Sequence, residues 1–182
     1  VCGIKVRIHT VAGLPLMVEK GFKYQLLKFI EKLTYAAANH VWPNSHSLMQ
    51  FISKHKLCKT TRLNIIAKGS TNGIAVNRFN KENLDEKIIN EIKEQIHYST
   101  GQIYLLCIGR LVKDKGLIEL VHVFLQLQKK NVNLKLILVG EYENALDPLP
   151  EATLLEIENN TSIIHINWSN RVEYFMHLAD FF

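Results

Sequence analysis

The sequence predicts an α/β protein built on a doubly wound parallel sheet. Three observations carry that prediction. Near-continuous apolar runs, "IYLLCIG" (103–109) and "LKLILVG" (134–140), read as buried strands of a parallel sheet, and "SIIHI" (162–166) as a third strand. Segments with apolar residues at helical spacing alternate with them, which is the pattern of βαβ units. A polar, highly charged stretch, 77–100, separates these runs from an earlier set of shorter elements and reads as a linker between two domains, 1–76 and 101–182.

Taken in order, "IKVRI" (4–8) alternates and is rich in β-branched residues, so it reads as a strand. "HTVAGLP" (9–15) reads as a loop. From Gly21 to Asn39 the residues Phe22, Leu26, Phe29, Ile30, Leu33 and Ala37 recur at helical spacing, with Lys20, Lys23, Lys28 and Lys32 largely between them. "HVWP" (40–43) is a short strand candidate. "SHSLMQFISKH" (45–55) reads as a helix capped by Ser45. "RLNIIA" (62–67) reads as a strand and "KGSTNG" (68–73) as a turn, with Asn72-Gly73 a candidate for type I′ or II′. A weak helix is expected around Asp85–Ile96. The helix after the 103–109 strand is expected over Asp114–Lys130, with Leu117, Leu120, Val121, Phe124 and Leu127 on one face. Helices near Glu151–Asn159 and over 171–179 follow, and "DFF" (180–182) looks like a strand just begun.

With 182 residues the chain can bury a real core as one large domain or two small ones. No apolar run is long enough to span a bilayer, and the first residues show no signal-peptide pattern. Three scattered cysteines, Cys2, Cys58 and Cys107, fit neither a disulfide framework nor paired zinc ligands. They read as thiols in a reducing, cytoplasmic compartment. The charge is uneven. Residues 1–70 carry 11 Lys and Arg against 2 Asp and Glu, a net +9, and residues 71–182 carry 11 against 15, a net −4. A basic first part fits an anionic partner, and it also fits a solvated basic face.

The stretch "CIGRLVKDKG" (107–116) places cations where a long helix is about to start. Such charges oppose the helix macrodipole, at roughly 0.3–1 kcal/mol each when exposed. Ligands of open α/β sheets bind beyond the carboxyl ends of the strands. Gly109 stands at one such end, and a helix N-terminus there directs unpaired N–H groups at the same place. Arg110 and Lys115 would complete a cationic cup that is favourable with an anion in it, and Gly116 would leave the first turn bare. This is the reading of a diphosphate site. The same residues also fit an exposed loop in which Arg110 and Lys115 pair with Asp114 or with solvent. Neither a Walker A loop nor a G-x-G-x-x-G fingerprint is present.

"GRLVKDKG", followed by "LVHVFLQL" and "LKLILVG", resembles the start of the nucleotide-sugar-binding domain of retaining glycosyltransferases of family 4, which have the GT-B fold of two Rossmann-like domains. "HTVAGLP", "KGSTNGIAVNRF" and "WSNRVEYFMHLADFF" resemble further segments of that family in the same order, with the flavour of bacterial capsule and O-antigen enzymes. The resemblance implies transfer of a sugar from a nucleotide-diphosphate donor to a lipid-linked or growing polysaccharide acceptor. It implies a nucleotide sugar as substrate, no cofactor and no metal. It places 1–76 in the acceptor-side domain and 101–182 in the donor domain. The family's pair of donor-gripping glutamates would lie past Phe182, and most of its first domain before Val1. The chain is therefore expected to be the middle of a longer enzyme, with little transfer activity alone.

By the same resemblance His9 would face the donor diphosphate and acceptor, and Gly13 would let the acceptor approach the backbone. A lone histidine beside a strand also packs structurally. Asn72 and Gly73 are candidate substrate contacts or simply a turn. Gly140 and Glu141, at the end of a strand, are candidates for the nucleotide side. Trp168 can stack on a base, though such a tryptophan is more often core. The lysines at 20, 23, 28 and 32 suit anionic headgroups on the inner face of a membrane, or a solvated face. The alternatives are a nucleotide-sugar epimerase of the same fold, or a non-catalytic nucleotide- or phosphate-binding module. A nucleic-acid partner is not expected, because the sequence shows no recognition module.

Overall fold

The computed structural model describes residues 3–70, 72–130, 133–143, 145 and 147–182. Cys2 and Thr71, which enter the sequence reading, lie outside the described residues. The chain divides into two compact units, Val1–Ile74 and Ala75–Phe182.

In the first unit, β1 (Ile8–Val11) pairs in parallel with β2 (His40–Pro43), from Ile8↔His40 to Val11↔Pro43. The helix α1 (Gly21–Ala37) connects them, and α2 (His46–Lys54) follows. Ser45 caps α2 as expected: its hydroxyl accepts from the Leu48 N–H at 3.3 Å. Val11, Leu16, Tyr35, Val41, Leu48 and Ile52 form the core.

Three expectations shift here. The strand expected at 4–8 lies at 8–11, because pairing begins only where the partner chain has left α1. At that point Asn39 and His40 both donate their N–H to the Arg7 carbonyl, at 2.8 and 3.1 Å. The strand expected at 62–67 reduces to one bridge, Leu63 to Val41. Asn64 N–H donates to the Val41 carbonyl, and the next bond of that ladder would need an N–H from Pro43, which has none. The Asn72-Gly73 turn also takes another form. Type I′ needs positive φ at both central residues, and Gly73 does not have it, whereas Ala67, Gly69 and Ser70 do, at 51°, 91° and 82°.

In the second unit, β3 (Ile103–Ile108), β4 (Leu134–Val139) and β5 (Ile163–Ile166) form a parallel sheet in the order β3-β4-β5. Phe181 bridges Leu105 on the open edge of β3, so the terminal "DFF" does begin a further strand. Leu134, Leu136 and Leu138 of β4 enter one core with α4 (Leu117–Gln128) and α5 (Glu151–Asn159). Ile137 and Val139 enter a second core with α3 (Glu86–Gln95) and α6 (Val172–Leu178). The strand is buried on both faces, which is why its sequence lacks polar alternation. Each such side chain stabilises the unit by about 1.5–3 kcal/mol relative to exposure.

The 77–100 stretch is part of this second unit rather than a linker. Its charge hides an apolar stripe: Ile92 and Ile96 are fully buried beside Tyr104 and Phe175. The Asp85 carboxylate caps α3 by accepting from Lys87 N–H at 2.8 Å. Arg78 ties the preceding turn to α6 through Glu173 at 2.7 Å and through the Asn170 carbonyl. The helix expected over 114–130 is shorter and starts later, at Leu117. Lys113–Lys115 form a separate 3-10 turn, and Gly116 lies between the two at φ 73°.

Candidate functional site

The carboxyl ends of β3, β4 and β5 open into a cleft of about 300 Å³. Gly109, Arg110, Gly140, Glu141, Trp168 and Ser169 stand around it. Parallel strands that end together make this place, and glycines keep it open. A Cβ on Gly140 would fall 1.8 Å from the Gly109 carbonyl oxygen, so no side chain fits there. The Gly140 carbonyl in turn bonds His165 Nε2 at 2.8 Å, which requires the proton on that nitrogen. Tyr142 packs on the His165 ring at 4.6 Å. Burial, with the Glu158 charge adding, pushes the Tyr142 hydroxyl pKa up and keeps it neutral.

Two loops are fastened together beside the cleft. Leu111 N–H donates to the Glu141 carbonyl at 2.9 Å, extending the β3–β4 pairing by one bridge to Tyr142. Asp114 N–H donates to the Asp147 carboxylate at 2.8 Å. Arg110 Nη1 meets Glu143 Oε2 at 2.5 Å, with 59% of the arginine side chain exposed. Lys115 lies 3.9 Å from the Asp114 carboxylate.

Of the residues expected to hold a diphosphate, Gly109 and Arg110 line the cleft, together with Gly140 and Glu141. Lys115 and Gly116 are not among the lining residues. The cations do not sit on the first helical turn, because the 3-10 turn and Gly116 intervene. Gly116 serves the backbone: its φ of 73° suits glycine, and a Cβ there would make no more than an ordinary contact, 3.8 Å from Glu119 Oε2. Trp168 is 70% exposed at the cleft rather than in the core. Glu143 and Asp147 were not singled out in the sequence. The signal was there, since "GEYENALD" puts three carboxylates just past a strand end.

The first unit has its own cleft, about 260 Å³, where β1 and β2 end, lined by Thr10, Trp42, Asn44 and Ser70 among others. His9 lies within β1 rather than after it. Its half-buried ring packs on Tyr35 of α1 at 5.4 Å. Gly13, Asn72 and Gly73 are exposed and do not line that cleft. Burial raises the pKa of both Cys58 and Cys107, with Arg62 partly offsetting it at Cys58, so neither thiol is primed as a thiolate.

The profile of the family "Glycosyl transferases group 1" matches residues 88–182. The capsular polysaccharide biosynthesis glycosyltransferase CapM of Staphylococcus aureus is 33% identical over 165 residues, 89% of this chain and 42% of that protein. The chain thus spans less than half the length of this relative. Among solved structures, Anabaena HepE, in complex with UDP and glucose, aligns with a TM-score of 0.67 at 15% identity, over 95% of this chain and 44% of that one. WaaG, a glycosyltransferase involved in lipopolysaccharide biosynthesis, aligns at 0.64 and 18%, over 96% and 48%. These neighbours are GT-B glycosyltransferases, and the α/β fold with incomplete parallel sheets agrees with theirs. With more than half of its length matched by the family profile, the chain belongs to the group 1 glycosyl transferases.

Proposed function

We propose that this chain is the central part of a retaining glycosyltransferase that moves a sugar from a nucleotide-diphosphate donor to a lipid-linked or growing polysaccharide acceptor at the cytoplasmic side of a membrane. The second unit binds the donor and the first serves the acceptor. The cleft at the ends of β3–β5 carries this reading, because bare glycine backbone and the exposed cation Arg110 meet there.

As the sugar departs, negative charge grows on the β-phosphate oxygens of the leaving nucleoside diphosphate. A fixed guanidinium lowers that barrier electrostatically. Arg110 offers a fork for two phosphate oxygens. Its pair with Glu143 is exposed, and such pairs are worth roughly 0–1 kcal/mol, so a diphosphate can displace the carboxylate. Lys115 would join as a mobile second charge on the same loop. Trp168 would stack on the base. His9, Gly13, Asn72 and Gly73 belong to the acceptor side by resemblance. The reading needs no metal.

The test is transfer of labelled sugar from a panel of nucleotide sugars to membrane-extracted acceptor lipids by the longer protein that contains this segment. Sugar incorporation, abolished or strongly reduced by Arg110→Ala and insensitive to chelator, is the expected result. Tight nucleotide binding with no transfer to any acceptor would leave a binding module instead.

A further inference from the structure

The 3-10 turn Lys113–Lys115 has no cap of its own. The residue before it is Val112, whose side chain is apolar and buried. Helical turns are ordinarily capped by a side-chain oxygen from that preceding position. Here the oxygen comes from the other loop: the Asp147 carboxylate accepts from Asp114 N–H at 2.8 Å, across 33 residues of sequence.

The carboxylate stands on a stiff stem. Asp147 opens the run Asp-Pro-Leu-Pro (147–150). Pro148 disfavours helical backbone at Asp147, and both prolines fix their own φ. Leu149 between them is 6% exposed and sits in one core with Leu111, Leu117 and Leu138. The core of the second unit thus holds Asp147, and Asp147 holds the turn.

The two carboxylate ties between these loops differ in kind. Arg110–Glu143 joins two side chains, with the arginine 59% exposed, and exposed pairs of this sort exchange partners readily. The Asp147 bond engages a backbone N–H, and hydrogen bonds to an ionised acceptor are roughly twice as strong as neutral ones. It uses no side chain of the 110–116 loop, so it stays made when Arg110 turns to a phosphate.

We propose that Asp147 is a positioning residue of the diphosphate site: it keeps the 113–115 turn, and Lys115 on it, in place while Arg110 exchanges Glu143 for phosphate. This role rests on the donor-site reading. Asp147 also carries a charge that repels phosphate, so two effects of removing it have opposite signs. Loss of the charge alone tightens nucleotide binding, and loss of the tie weakens it.

The test is calorimetric titration of the 182-residue chain with uridine, guanosine and adenosine diphosphate, continued with whichever binds most tightly. Asp147→Ala should weaken binding about three- to tenfold. Asp147→Asn should restore most of that loss, because its amide oxygen accepts from the same N–H. In a Lys115→Ala background Asp147→Ala should add less than about twofold, since the cation it positions is gone. Unchanged circular dichroism would confirm that the variants fold. A measurement on the wild type needs no variant: the Asp114 amide should stay protected from hydrogen exchange at saturating nucleotide. Unchanged or tighter binding by Asp147→Ala would overturn the proposal. So would equal losses in the alanine and asparagine variants, a fully additive loss in the Lys115→Ala background, or loss of Asp114 protection on binding. Arg110→Ala, run alongside, separates the two readings. Weaker binding there with Asp147→Ala unchanged removes the role of Asp147 and leaves the donor site standing. No nucleotide binding by the wild type, or no effect of Arg110→Ala, removes both.

Discussion

The central strand β4 of the second unit is enclosed by helices on both faces, α4 and α5 on one and α3 and α6 on the other. In the first unit, α1 covers the β1–β2 sheet with one side and leaves five large apolar residues exposed on the other. Both segments are rich in apolar residues at regular spacing, yet one spends them on a core and the other on a surface. Apolar periodicity identifies an element. It does not say whether the stripe it defines faces inward, and a helix with two stripes needs the fold to decide between them.

The sharpest way to break that contrast is truncation on each side of it. Phe175→Ala should cost about 3–5 kcal/mol, the usual loss for a fully buried phenylalanine. Phe29→Ala should change stability by less than about 0.5 kcal/mol. Denaturant titration of the two variants checks this, and a comparable loss at Phe29 would place the outer stripe of α1 in a core. Next in size is the cleft of the second unit. Arg110→Ala should weaken nucleoside diphosphate binding about 10- to 100-fold, the loss expected for a charged hydrogen-bonding group, with no change in melting temperature.

The sequence showed the second unit more clearly than the first. The runs at 103–109, 134–140 and 162–166 were legible because strands buried on both faces leave no polar alternation to confuse. The strand at 62–67 failed for a reason local sequence cannot display: the register puts Pro43 where the ladder needs a donor. The linker reading of 77–100 failed because lysines and glutamates outnumber the isoleucines that bury α3. In the cleft, Gly109, Arg110, Gly140 and Glu141 were legible from their place at strand ends. The carboxylates past the end of β4 were visible too, but which of them holds Arg110 was not, because pairing between two loops depends on how β3 and β4 align. The buried stripe of α1 was missed as well, because Tyr24 and Tyr35 sit among lysines while the more hydrophobic residues face outward.

Smaller effects sharpen the picture of the second unit. Gly116→Val forces a β-branched residue to φ 73° and should cost about 1–2 kcal/mol of stability, without touching the cleft. The Arg78–Glu173 tie should respond to acid. Burial alone would raise the Glu173 pKa, but hydrogen bonding and charge from Arg78 hold it below the ordinary value of 4.5. A depressed carboxylate stabilises the fold above its unfolded pKa and loses that stabilisation as pH falls through the folded value. Melting curves should therefore show wild type falling relative to Glu173→Gln below pH 4.5, and parallel curves would remove the tie from the account.

The central claim is that the ends of β3–β5 form a diphosphate site in which Arg110 exchanges Glu143 for phosphate. Calorimetric titration of the chain with a nucleoside diphosphate, alongside Arg110→Ala and Glu143→Gln, tests it most directly. The account predicts weaker binding for Arg110→Ala and binding a few-fold tighter for Glu143→Gln, since a competing pair worth about 0.2–1 kcal/mol is gone. Equal affinity in all three proteins would contradict it.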